Sequence, residues 1–158
     1  MAIRPIVLLG DPVLRGRAAV VTAFDAGLET LAADMLDTMY AAPGRGLAAP
    51  QVGVPLRLFV MDIGLKEGAP NPQVFVNPRL TDASDVMVPF TEACLSIPGQ
   101  TSRVARPDRV ALQWQDLHGT AHEGWFDGFA AVCVQHERDH LDGILCIDLP
   151  AVPDAVPA

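Results

Sequence analysis

The sequence predicts an α+β protein in which antiparallel strands pack around a central C-terminal metal-binding helix, with an N-terminal amphipathic helix on the outside. Three observations carry this expectation. Apolar residues recur at helical spacing from about Asp25 to Met39. They alternate at strand spacing between Val110 and Phe126, and two histidines stand four apart in Gln135 to Gly143. With 158 residues, 50% of them hydrophobic, the chain is expected to form one domain over residues 1–158.

Residues 1 to 20 hold a short apolar run and then Asp11-Pro12-Val13-Leu14-Arg15, an ordered lead-in in which Pro12 disfavours helix at Asp11. Leu28, Leu31, Ala32, Met35, Leu36 and Met39 then form one apolar stripe, with Glu29, Asp34 and Asp37 off it. That helix should stop near Pro43. Beyond it, the small residues of Gly44 to Gly53 allow backbone to approach a ligand or another segment closely. Neither a phosphate loop nor a G-x-G-x-x-G fingerprint is present, so nucleotide binding is rejected. Gln51 is the one amide side chain there, and bonding to nearby backbone is its simplest use.

Leu56 to Ile63, Gln73 to Asn77 and Val86 to Phe90 read as strands. The segment Glu92-Ala93-Cys94-Leu95-Ser96-Ile97-Pro98-Gly99 follows. Val110, Leu112 and Trp114 alternate with polar or small residues, and Asp116 to Gly119 turns the chain back into Ala121 to Phe126. This hairpin feeds the last helix. The tail from Leu149 to Ala158 has three prolines and no helical period, and is expected to be extended or disordered.

In that last helix His136 and His140 lie one turn apart on one face, where both can ligate one ion. Glu137 can reach the edge of the coordination sphere and take a proton from water without being a ligand. Phe129, Val132, Cys133 and His136 form an apolar stripe, so the first histidine faces the core rather than solvent. Asp127 and Gly143 mark the helix ends. Two imidazoles leave a tetrahedral ion short of ligands. Cys94, Cys133, Cys146, His118, His122 and several carboxylates are candidates for the third, and spacing does not choose among them.

The net charge of −8 argues against a nucleic-acid reader. Arg103, Arg106 and Arg109 form the one local basic cluster and read as a solvated strand edge. No apolar run reaches the roughly 18 residues of a membrane span. Three cysteines, an odd count, speak against a disulfide framework, and the expected location is cytoplasmic.

Three separated segments together resemble the peptide deformylases, a family with a G-x-G-L-A-A-x-Q loop, an E-G-C-L-S loop and a Q-H-E-x-D-H-L-x-G helix in that order. They stand here as Gly44 to Gln51, Glu92 to Ser96 and Gln135 to Gly143. The resemblance implies one divalent ion held by Cys94, His136 and His140, usually ferrous iron, Fe(2+), with Zn(2+), Ni(2+) or Co(2+) as substitutes. It implies Glu137 as the proton-transfer residue, and the Gln51 amide and Leu95 N–H as donors to the formyl oxygen. The implied substrate is an N-formylmethionyl nascent peptide, extended beside the backbone of Gly44, Arg45, Gly46 and Leu47. Phe129, Val132 and Cys133 would line its methionine pocket or simply pack in the core.

The chain departs from the family pattern at Ala93, where the motif has glycine, and in its tail, which lacks the basic helix some bacterial members dock on the ribosome. If position 93 needs a positive φ, alanine is strained; if it is extended, the methyl only narrows the peptide channel. A monomer with at most transient ribosome contact is expected. The alternatives are a deformylase-like amidohydrolase acting on another N-acylated amine, an H-E-x-x-H endopeptidase, or a structural metal protein. A structural site would need neither Glu137 nor Gln51.

Overall fold

The computed structural model describes residues 2–153. Asp25 caps the first helix, α1 (Ala26–Ala41), its carboxylate accepting from Leu28 N–H at 3.0 Å. The chain then enters a short strand, β1 (Gly46–Ala48), and continues through β2 (Leu58–Met61) and β3 (Gln73–Ala83). A hairpin of β4 (Met87–Cys94) and β5 (Ile97–Pro107) follows, then β6 (Arg109–Gln115), β7 (Ala121–Asp127) and the second helix, α2 (Gly128–Leu141).

Five strands form one antiparallel sheet in the order β1-β2-β3-β6-β7, and β4 and β5 pair only with each other. Strand β2, Leu58-Phe59-Val60-Met61, is buried on both faces because each face meets a helix. Leu58 and Val60 pack with Leu28, Leu31, Met35 and Met39 of α1. Phe59 and Met61 point the other way, into a cluster with Phe75, Leu112, Val134 and Leu141 that carries α2. A two-residue period in a strand thus decides which helix each side chain supports.

The expected strands and helices are present, with two additions. Residues 46–48 form one of the sheet's two edge strands, and residues 97–107 form β5. Ile97 to Pro107 carries two prolines, a glycine and little apolar alternation, so its strand character comes from pairing with β4. The lead-in is ordered, as expected, by backbone bonds from Val7 to Gln51 and from Leu9 to Ser96, at 2.8 and 2.9 Å. Of the tail, Ala151 bridges to Val104 and Val152 N–H donates to Arg103 C=O, while residues 154–158 lie outside the described part.

Helix α2 starts at Asp127, which has the extended backbone of a cap but makes no side-chain cap bond. It stops at Gly143, whose φ of 75° reverses the chain. Arg57 donates to the Leu141 carbonyl at 3.0 Å, placing a cation at the helix's negative end.

Candidate active site

The site lies where α2, the edge strand β1 and the β4–β5 hairpin meet. His136 and His140 lie on one face of α2 with ring centroids 5.0 Å apart, both buried. Cys94 closes β4 at a register shift after Ala93, and its Sγ lies 3.5 Å from His140 Nε2. Cys94, His136 and His140 each offer a donor atom, all within 4.8 Å of one another. His118 is on the β6–β7 turn and His122 on exposed β7, so neither belongs to this group.

A chain of charges orients the first imidazole. His136 Nδ1 donates to Glu92 at 2.8 Å, which leaves Nε2 to face the site. Glu92 accepts from Arg106 Nε and Nη2 at 2.5 and 2.9 Å, and Arg106 Nη1 donates to Asp139 of α2 at 2.9 Å. Burial opposes the Glu92 charge, but the bonds from His136 and Arg106 outweigh it and hold its carboxyl below the usual range. Burial also holds the His140 imidazole neutral. A thiol and two imidazoles, one held in a fixed orientation, suit a transition metal ion.

Glu137 follows His136 on α2 and is also buried; burial pushes its carboxyl up to about 7. One of its oxygens, Oε1, has no hydrogen-bond partner among the described residues, a costly state for a buried carboxylate unless water or a ligand completes it. Gly46 makes room for it. A Cβ at that position would lie 2.7 Å from Glu137 Oε2 and 2.8 Å from Cys133 Sγ. Gln51 accepts from Ala48 N–H at 3.0 Å, so its amide nitrogen points at Ser96 Oγ and Cys94 Sγ, at 3.1 and 3.5 Å.

A cavity of about 630 Å³ opens from this point, walled by Gly44 to Gly46, by the start of the β4–β5 turn including Leu95, and by Phe129, Val132 and Cys133 of α2. Those three helix residues face the cavity, and Cys133 also packs in the α2-side core. Leu47 does not line it. Its side chain is fully buried under α1, because strand alternation sends Gly46 and Ala48 toward α2 and Leu47 the other way. Ala93 is extended, exposed and part of the cavity wall, so its methyl narrows the channel and strains no backbone.

The expected solvated arginine edge is corrected at one residue. Arg103 is half-buried and Arg109 is exposed, lying over Trp125, but Arg106 is buried in the ion network. Sequence reasoning missed Glu92, Arg106 and Asp139 as members of the site. The available signal was Glu92 itself, two residues before Cys94.

A thiol, two imidazoles and a buried carboxylate gathered beside one cavity define a metal-dependent hydrolase on an α+β frame. The family model described as polypeptide deformylase matches residues 3–152. Peptide deformylases of Maricaulis maris and Zymomonas mobilis are 48% and 47% identical, the alignments covering 94% of this chain and 85% and 86% of theirs. The crystal structure of the Thermotoga maritima peptide deformylase superposes with a TM-score of 0.91 at 39% identity, covering 97% of this chain and 100% of that one. A Synechococcus elongatus peptide deformylase in complex with actinonin gives 0.87 at 41% identity, over 90% of this chain and 78% of that one. The chain belongs to the peptide deformylase family.

Proposed function

We propose that the chain hydrolyses the N-formyl group from the N-terminal methionine of new polypeptides, with Cys94, His136 and His140 as ligands of ferrous iron. The carrying observation is the meeting of these three donors with Glu137 at the inner end of a cavity bordered by the edge strand β1. The bound ion supplies Lewis-acid charge that polarises the formyl carbonyl and makes water a better nucleophile at neutral pH. Glu137 takes the proton from the attacking water and delivers it to the departing amine, so formamide and water become formate and a free N-terminus. Gln51, aimed by its bond to Ala48 N–H, donates from Nε2 to the developing oxyanion together with Leu95 N–H.

The peptide lies extended along the free edge of β1, as a strand added to a sheet. Its methionine side chain enters between Phe129, Val132 and Cys133, and the Leu47 contribution is backbone alone. No helix among the described residues is long and apolar enough to cross a membrane. The protein is read as a cytoplasmic monomer of one domain, with at most transient ribosome contact.

Formate release from formyl-Met-Ala-Ser by protein loaded anaerobically with Fe(2+) tests the reading. The wild type should release formate, and Glu137→Ala should lose roughly 10²- to 10⁴-fold in rate while retaining its metal. A metal-loaded wild type that releases none would overturn it.

A further inference from the structure

The protein carries a net charge of −8, yet the charged side chains of its cavity wall that are not buried, Arg45 and Lys66, are both cations. Arg45 and Lys66 both line the cavity, and neither pairs with a carboxylate among the described residues. The lining carboxylates, Glu92 and Glu137, are buried at the inner end, and Glu92 is already matched by Arg106. Unpaired cations facing a binding channel on an acidic protein attract what the rest of the surface repels.

Arg45 is held in place. Its guanidinium carbon lies 4.7 Å from the centroid of the Phe129 ring, and its carbonyl accepts from Asp62 N–H at 2.9 Å. Lys66 reaches back from the short 3₁₀ turn Leu65–Glu67, its Nζ donating to Pro43 C=O at 3.2 Å. The wall therefore runs outward from Gly46, where a Cβ would press on Glu137, through Arg45 to Pro43 and Lys66.

Side chains of an extended peptide alternate, so the first and third residues share a face. With the first side chain beside Phe129, the third falls on the side where Arg45 covers the same ring. We propose that Arg45, assisted by Lys66, selects formylated peptides with an acidic third residue. This inference rests on the deformylase reading and adds a substrate class to it.

The test compares kcat/KM for formyl-Met-Ala-Glu-amide, formyl-Met-Ala-Gln-amide and formyl-Met-Ala-Lys-amide, amidated so that no terminal carboxylate confuses the comparison. The expected order is Glu, then Gln, then Lys, with roughly five- to tenfold between the ends, shrinking as salt is raised. The double variant Arg45→Glu, Lys66→Glu should invert the order, and a relative gain on the lysine peptide cannot arise from misfolding. Equal rates on all three peptides would overturn the selectivity and leave deformylation standing. Absence of formate from every peptide would overturn the deformylase reading and this proposal with it.

Discussion

The two halves of the site are held in opposite ways. Helix α2, with His136, Glu137 and His140, stands on the large core, where Ala131, Cys133, Val134 and Leu141 are buried with Phe59, Phe75 and Leu112. The hairpin bearing Glu92 and Cys94 has a satellite cluster of four buried residues, Cys94, Ile97, Leu145 and Cys146. Polar ties supply the rest: Arg106 to Asp139, Leu9 to Ser96, and the tail to β5. Apolar burial fixes a helix by area and tolerates small shifts, whereas a charge network depends on each member being present. The hairpin half should therefore be the more fragile.

Arg106→Met should show the largest effect. It leaves buried Glu92 and half-buried Asp139 without their shared cation, a loss of about 3–5 kcal/mol. Metal affinity should fall roughly 10- to 100-fold, because His136 loses a properly charged partner. Urea unfolding and a metal competition titration measure the two losses. Hydrogen exchange then sharpens the comparison: protection should fall in β4 and β5 while β6 and β7 keep theirs. A uniform loss would show that the two halves open as one unit.

The same contrast explains what could be read from the chain. Helix α2 was legible because ligand spacing, apolar stripe and end signals are local and agree. The burial of Arg106 was not. Arg103, Arg106 and Arg109 look alike in sequence, and only the β4–β5 register, which sets Glu92 opposite Ser102 and Val88 opposite Arg106, brings one guanidinium between two acids. Leu47 shows the converse. It sits inside a motif that faces the cavity, but the strand period turns its side chain into the α1 core.

Removing residues 150–158 should have a smaller effect on the hairpin. The deletion takes away the Val152 bond to Arg103 C=O, the Arg103 bond to Pro153 C=O and the bridge at Val104. At about 1 kcal/mol for each net bond, the loss should be roughly 1–2 kcal/mol, read by thermal unfolding. Exchange at β5 amides should rise more than at β2 amides, since β2 is buried between the two helices. Equal increases would mean that the tail supports the whole fold rather than one edge.

The smallest effect separates the two helices by what starts them. Asp25 accepts from Leu28 N–H, so Asp25→Ala should cost α1 about 1 kcal/mol. Asp127 holds the equivalent position on α2 without a cap bond, and Asp127→Ala should change stability by no more than about 0.3 kcal/mol. Helix α2 needs no capping side chain if it is fixed along its length by the core and at its far end by Arg57 on the Leu141 carbonyl. Chemical denaturation of both variants decides the point. A cost at Asp127 as large as at Asp25 would mean that the first turn of α2, which carries Phe129 into the cavity wall, depends on its cap after all.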